Sequence, residues 1–238
     1  MNKQPELLKQ LKQSKPIVIS LGGSLIIRKS GFNTELLLGL KSFLKNKSFV
    51  VVSGGGLTAR HYQKALLDLG IKDSKALDLI GIKATELNAF LVSKILNAEL
   101  LSYNMFRNKN RQSKQGRTKQ GKVKKIRIIS YGLRPGLTTD YVTVLFAKSL
   151  GVKVIINMSR IRFVRDKKHD DKILKKLSWK EYFDLIPRKN TPGIKVPFDV
   201  EASKLAFKNK ISVVFINTIK DLDLFFKKGI VNGTIIHP

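Results

Sequence analysis

The chain has no cysteine in its 238 residues, which excludes a disulfide framework and any thiolate metal site. Histidine is scarce: His61, His169 and His237 stand far apart in the sequence. A His-based metal site is therefore not expected, and no metal ligand is assigned to the protein. Apolar runs stay well short of the ~20 residues that span a bilayer. Residues 1–14 are polar and Lys-bearing with no apolar stretch, unlike a secretory signal. These absences make a cytoplasmic protein without a membrane partner the expectation. Two common catalytic strings are also missing. Without Gly-x-x-x-x-Gly-Lys-Ser/Thr the chain is not a Walker-type P-loop protein, and without Gly-x-Ser-x-Gly it has no nucleophile elbow.

Acidic residues are the remaining shortage. Asp and Glu total 17 against 46 Lys and Arg, a formal net charge of +29. Such a field attracts phosphates of any kind, nucleic acid included. The excess is spread along most of the chain, as a general Lys-rich composition would make it. Residues 107–127 differ, with ten basic residues and no acid: Arg107, Lys109, Arg111, Lys114, Arg117, Lys119, Lys122, Lys124, Lys125 and Arg127. The stretch reads as a loop able to lie on RNA or an acidic partner. It lacks the interleaved aromatics of a base-stacking platform.

What the chain does contain is an alternation of short apolar runs and helical patterns. Strands are expected over 16–21, 49–53, 126–130, 152–157 and 211–217, with a closing edge strand over 231–236. Helices are expected over 34–44, 57–69, 74–100, 139–150, 179–186, 200–209 and 221–227, the third with an apolar stripe of Leu77, Ile80, Ala84, Leu87 and Leu91. Residues 160–176 read as charged and turn-rich. Strands apolar throughout and separated by helices imply an α/β, three-layer αβα sandwich around a mostly parallel sheet. One domain over 1–238 is expected, with two lobes divided near Leu150; 42% hydrophobic residues suffice for its core.

Three stretches suit a phosphate-handling site: Ser20-Leu21-Gly22-Gly23-Ser24, Gly54-Gly55-Gly56-Leu57-Thr58-Ala59-Arg60 and Arg134-Pro135-Gly136-Leu137-Thr138-Thr139-Asp140. Each stands before a helical pattern, and the first two follow buried strands. Glycine lets backbone approach a phosphate, and a helix N-terminus adds partial positive charge. In a parallel sheet such loops gather beyond the carboxyl ends of the strands. Two of them on one crevice suit a phosphoryl donor and an acceptor placed end to end, where transfer depends on position and charge stabilisation. Arg60, about one turn into its helix, can reach back and grip phosphate in bidentate fashion. Thr138 and Thr139 can hold an anion, or act only as helix caps.

These motifs resemble the amino-acid-kinase superfamily, and most nearly its archaeal-type uridylate (UMP) kinases. The resemblance runs from about Pro16 to the C-terminus and includes Asp78-Leu-Ile-Gly-Ile-Lys-Ala-Thr-Glu-Leu-Asn-Ala, Val154-Ile-Ile-Asn157 and Asn232-Gly-Thr-Ile-Ile-His-Pro238. It implies transfer of the ATP γ-phosphate to UMP with Mg²⁺, and a homo-oligomer, a hexamer built from dimers. By position, Ser20, Leu21, Gly22, Gly23, Ser24 and Gly56 would cradle the ATP phosphates. Gly55 would approach the UMP phosphate, Asp78 would accept from its ribose hydroxyls, and Leu133, Arg134, Pro135, Gly136, Leu137, Thr138 and Thr139 would wrap it. Ile156 and Asn157 would lead into the loop over the ATP base, with Phe163 or Arg162 and Asp166 beside the adenine. Arg60, Asp199 and Ser20 would occupy catalytic positions.

The chain departs from the superfamily pattern at three of these places. Ser159 and Arg160 stand where many members have Asp and Gly, and Ser20 stands where many have Lys. Arg60 or another cation would then neutralise the transferring group. A catalytically degenerate kinase fold that binds RNA or nucleotide is the alternative from another class. An isopentenyl phosphate kinase ranks below both, since Val52-Ser53 and not His precede Gly54, and His61 lies on the far side.

Overall fold

The computed structural model describes residues 15–115, 125–166, 169–189 and 196–238. In chain order the first half comprises β1 (Ile17–Leu21), α1 (Gly23–Ile26), the hairpin β2 (Ile27–Arg28) and β3 (Gly31–Phe32), α2 (Thr34–Leu44), β4 (Phe49–Ser53), α3 (Gly56–Asp68), α4 (Ser74–Leu96), β5 (Glu99–Leu100) and α5 (Tyr103–Gln115). The second half comprises β6 (Arg127–Ser130), α6 (Thr139–Ser149), β7 (Val154–Met158), β8 (Val164–Asp166), β9 (Lys172–Leu174), β10 (Lys176–Ser178), α7 (Trp179–Leu185), α8 (Val200–Lys208), β11 (Ser212–Ile216), α9 (Ile219–Lys228) and β12 (Ile235–His237).

The main sheet has the order β10-β12-β11-β7-β1-β4-β6-β5. The six strands from β11 to β5 run parallel. Runs such as Ile-Val-Ile and Phe-Val-Val-Val suit a pleated surface covered on both faces. Alternate residues feed two separate cores. Ile19, Val51, Ile156 and Val214 meet α2, α4 and α9 on one face, while Val18, Val50, Ile155 and Val213 meet α6, α7 and α8 on the other. This is the expected three-layer α/β sandwich. Polar caps start the helices as their sequences require: Asn33, Thr138, Ser178, Asp199 and Thr218 each accept a first-turn N–H.

Four local expectations need correction. The basic stretch is not a loop throughout, because α5 extends to Gln115. Its Phe106 is buried with the ring centre 4.9 Å from that of Phe146, and this anchoring outweighs the polar composition. Residues 116–124 of the stretch lie outside the described residues, and Arg127 opens β6. The third expected helix stops at Leu96, where Asn97 turns left-handed with φ 48° and caps it. On that helix the buried side is Ala84, Thr85, Asn88, Ala89, Val92, Ser93 and Leu96, and Leu87 faces out, because the helices α3 and α2, not the sheet alone, set its contact line. The last strand is also not the edge. β12 runs antiparallel to β11, and β10 pairs beyond it. Among the described residues no helix is long and apolar enough to cross a membrane.

Candidate active site

The two glycine turns interlock. The ladder continues past the strand ends, with the Gly22 N–H donating to the Met158 carbonyl at 2.7 Å and the Gly54 N–H to the Leu21 carbonyl at 2.8 Å. The turns then lie so close that a Cβ on Gly23 would collide with the Gly56 nitrogen and the Gly54 carbonyl. One on Gly56, whose φ is +58°, would strike the Gly23 backbone. Asn88 of α4 ties the second turn down, its Nδ2 donating to the carbonyls of Gly54 at 2.9 Å and Gly55 at 3.1 Å. With the carbonyls engaged and no side chain capping α3, the first-turn amides of that helix remain for a ligand.

This interlock is a wall between two cavities. On one side, Gly55, Gly56, Asp78, Gly81, Ile82, Thr85, Arg134, Leu137, Thr138 and Thr139 surround a cavity of about 270 Å³. Asp78, Gly81, Ile82 and Thr85 share one face of α4, the spacing of successive helical turns. The Asp78 carboxylate accepts the Gly136 N–H at 2.8 Å and Thr85 Oγ1 accepts the Gly132 N–H at 2.9 Å, so α4 holds the 132–139 turn in place. On the other side, Ser24, Leu57, Arg60, Arg28, Lys29 and Arg160 line a cavity of about 750 Å³. A third cavity of about 850 Å³ continues from it, sharing Arg160, Asn217 and Thr218 and adding Phe163, Asp166, Ile186 and Pro187.

A polar cluster lies beneath the wall, on the sheet face covered by α6 and α8. Ser20 Oγ donates to Asp140 Oδ1 at 2.7 Å. Asn157 Nδ2 stands 3.5 Å from the same oxygen, and the Asp199 N–H stands 3.5 Å from Oδ2. Asp199 in turn caps α8, accepting the Ala202 N–H at 2.8 Å. Desolvation, only partly offset by the Ser20 hydrogen bond and aided by the Asp199 charge, pushes the Asp140 carboxyl up to about 6. Asn157 Oδ1 and Asn217 Oδ1 are buried without a hydrogen-bond partner, the state of an acceptor whose donor comes from elsewhere.

The expected site residues divide as follows. Ser24, Arg60, Gly55, Asp78, Arg134, Leu137, Thr138, Thr139, Phe163 and Asp166 all reach a cavity. Gly56, expected with the ATP phosphates, lines the smaller cavity, because its left-handed turn tucks it under Gly23. The side chains of Leu21 and Ile156 are fully buried in the core, and the Leu21 carbonyl accepts the Gly54 N–H. Asn157 lies inside β7, and the turn expected to start there begins at Ser159. Leu133 packs against the core, and Pro135 and Gly136 form the turn that Asp78 grips. The sequence motifs contain Asp140, Gly81, Ile82, Thr85 and Asn88 without assigning any of them a role, and Gln63 lies outside those motifs. Asp140 follows the helix cap Thr138 by two residues and so reads as a first-turn acid; the α4 residues sit on a face that composition alone does not mark.

The model of the amino acid kinase family matches residues 15–217. Uridylate kinase of Methanocaldococcus jannaschii is 31% identical over 230 residues, covering 92% of this chain and 98% of its own. Uridylate kinase of Archaeoglobus fulgidus is 30% identical over 226 residues, covering 92% and 99%. A crystal structure of uridylate kinase from Archaeoglobus fulgidus superposes with a TM-score of 0.70 at 28% identity, over 93% of this chain and 99% of that one. A family match from the first buried strand to the end of β11, with relatives aligned over nearly their whole length, leaves one assignment: the chain belongs to the amino acid kinase family.

Proposed function

We propose that the protein transfers the γ-phosphoryl group of ATP to UMP, giving UDP and ADP. The observation that carries this reading is the wall itself. Gly55 and Gly56 face the smaller cavity while Leu57 and Arg60, on the same helix, face the larger one. A monophosphate in the first and a triphosphate in the second meet at the N-terminus of α3. There an oxygen of the UMP phosphate attacks the γ-phosphorus, the bond to the β,γ-bridging oxygen breaks, and ADP leaves. Such a reaction needs alignment and charge stabilisation more than covalent chemistry. The α3 amides and Arg60 supply both at the junction. Asp140 is placed to fix Ser20, Asn157 and the α8 N-terminus relative to one another.

Magnesium suits this donor set as an ion shared with the nucleotide. The described residues contain no group of three or more His, Cys, Asp or Glu able to hold a metal, and Mg²⁺ is commonly bound by one or two carboxylates together with substrate phosphates. Asp140, Asp199 and the unpartnered Asn157 Oδ1, beneath the wall, are the hard oxygens that would hold the ion together with the phosphates. The ion would neutralise charge on the triphosphate.

A coupled assay with ATP, Mg²⁺ and UMP tests the reading directly: UDP forms, and absence of UDP under all nucleotide concentrations overturns it. Replacing Arg60 with Ala is expected to weaken use of ATP and UMP together, by roughly 1.5–3 kcal/mol for a charge-assisted contact. Unchanged kinetics would make it a surface residue.

The outward side of α3 and α4 carries Tyr62, Leu79, Leu87 and Phe90, all about half exposed. Apolar side chains in such number on adjacent helices mark an interaction face. A second copy of the chain is the occupant proposed. Light scattering giving a mass near the 26.8 kDa of one chain would refute it.

A further inference from the structure

Among the described residues the cations of the 750 Å³ cavity have no counter-ions. Arg28, Lys29, Arg60 and Arg160 line it together, with no Asp or Glu among the lining residues. None of the four takes part in an ion pair among the described residues. Like charges gathered around one cavity repel each other, so the arrangement favours a polyanion between them. The neighbouring strand offers no charge of its own. The Ser20 hydroxyl is neutral and already donates to Asp140 at 2.7 Å. Compensation must therefore come from the β2 hairpin, from α3 and from the turn after β7.

Arg160 differs from the other three by its place. Among the described residues it is the one cation that lines both the 750 Å³ and the 850 Å³ cavities. Its backbone is held on both sides. The Ser159 N–H donates to the Ile216 carbonyl at 3.3 Å, and the Ser159 hydroxyl donates to the Ile161 carbonyl at 3.1 Å. The same turn packs against the first glycine turn, where a Cβ on Gly22 would come within 3.3 Å of Ser159 Cα. Asn217, at the same seam, keeps its buried oxygen without a partner. The seam thus combines an exposed guanidinium on an anchored turn with a bare acceptor. That is the chemistry of a ligand with a chain of phosphates on one side and a hydroxyl-bearing group on the other. Guanidinium binds phosphate bidentately, which a lysine at the same place does less well.

We infer that Arg160 grips the triphosphate of the donor nucleotide where the phosphates join the nucleoside, and that it sets donor affinity without touching the acceptor. The identity of the ligand as a donor nucleotide rests on the phosphotransfer reading above; the grip on a polyphosphate does not.

The test compares the wild-type chain with Arg160→Ala and Arg160→Lys by calorimetric titration of ATP, inorganic tripolyphosphate and adenosine, and by steady-state kinetics. Arg160→Ala is expected to weaken ATP and tripolyphosphate about 10- to 100-fold, the range for loss of a charge-assisted contact. Adenosine binding and the KM for UMP stay within about twofold, and Arg160→Lys recovers part of the loss. Unchanged tripolyphosphate affinity in Arg160→Ala overturns the inference. So does an equal loss for adenosine and tripolyphosphate, which would mean the turn had merely been disturbed. If the wild-type chain makes no UDP but Arg160→Ala still loses tripolyphosphate, the kinase reading fails and the anion grip stands.

Discussion

Asp140→Asn is expected to lower kcat by at least about 10²-fold, the scale of a small misplacement of reacting groups, while making the protein more stable at pH 8. The two effects have one cause. The Asp140 carboxyl joins Ser20 on β1, Asn157 on β7 and the start of α8, so it orients three parts of the site from one point. It does so at a cost, because desolvation raises it from an ordinary 3.8 to about 6. Between those two pH values the folded chain binds more protons at this group than the unfolded chain, so stability falls as pH rises through the window. Above it, the native state carries the full penalty of a desolvated charge. Asparagine keeps the shape and removes the charge, but it presents an amide NH₂ in place of one carboxylate oxygen. A gain on the order of 1–3 kcal/mol is expected at pH 8, shrinking by pH 5. Urea melts at both pH values, alongside kcat and both KM values, check this. A variant with wild-type kcat would remove Asp140 from the machinery, and one less stable at pH 8 would show that its charge is well compensated.

Gly56→Ala is expected to lose about 2–5 kcal/mol of stability and most of the turnover. A left-handed residue other than glycine costs roughly 1–2 kcal/mol, and forcing an extra methyl into packed surroundings adds about 1–3 kcal/mol. Here the obstacle is the Gly23 backbone, which has no rotamer to change, so the two turns must separate. Separation opens the wall between the cavities and should raise KM for ATP and UMP together. Gly70→Ala is the control. Its φ is +82°, yet nothing lies within 4 Å of the added carbon, so it should carry the strain alone and leave kcat intact. Equal losses for the two variants, with turnover preserved in both, would reject the interlock as the organiser of the site.

Much of the fold could be read from residues alone because its signals are local. Phe49 to Ser53 is apolar and β-branched, Thr138 precedes a helical pattern, and Gly54 to Gly56 can only be a turn. The basic helix α5 was hidden for the converse reason. Its helical state depends on Phe106 docking beside Phe146, a contact 40 positions away in the sequence. The edge of the sheet was hidden likewise, since β10 and β12 are three-residue strands that are placed only by pairing, β12 with β11 and β10 with β12.

For the site, sequence determined which backbone is able to approach a phosphate and which cations stand near it: Gly22, Gly23, Gly54 to Gly56 and Arg60 are visible by type and spacing. Only the tertiary structure decided what meets what. It set Gly23 against Gly56, aimed the Asp78 side of α4 at the 132–139 turn, joined Asp140 to Ser20, and brought Arg160 into a cavity with Arg28, Lys29 and Arg60. Conformational freedom and charge belong to single residues and are written in the chain. Collision, desolvation and shared cavities belong to pairs far apart in sequence, and they exist only once the sheet has brought those residues together.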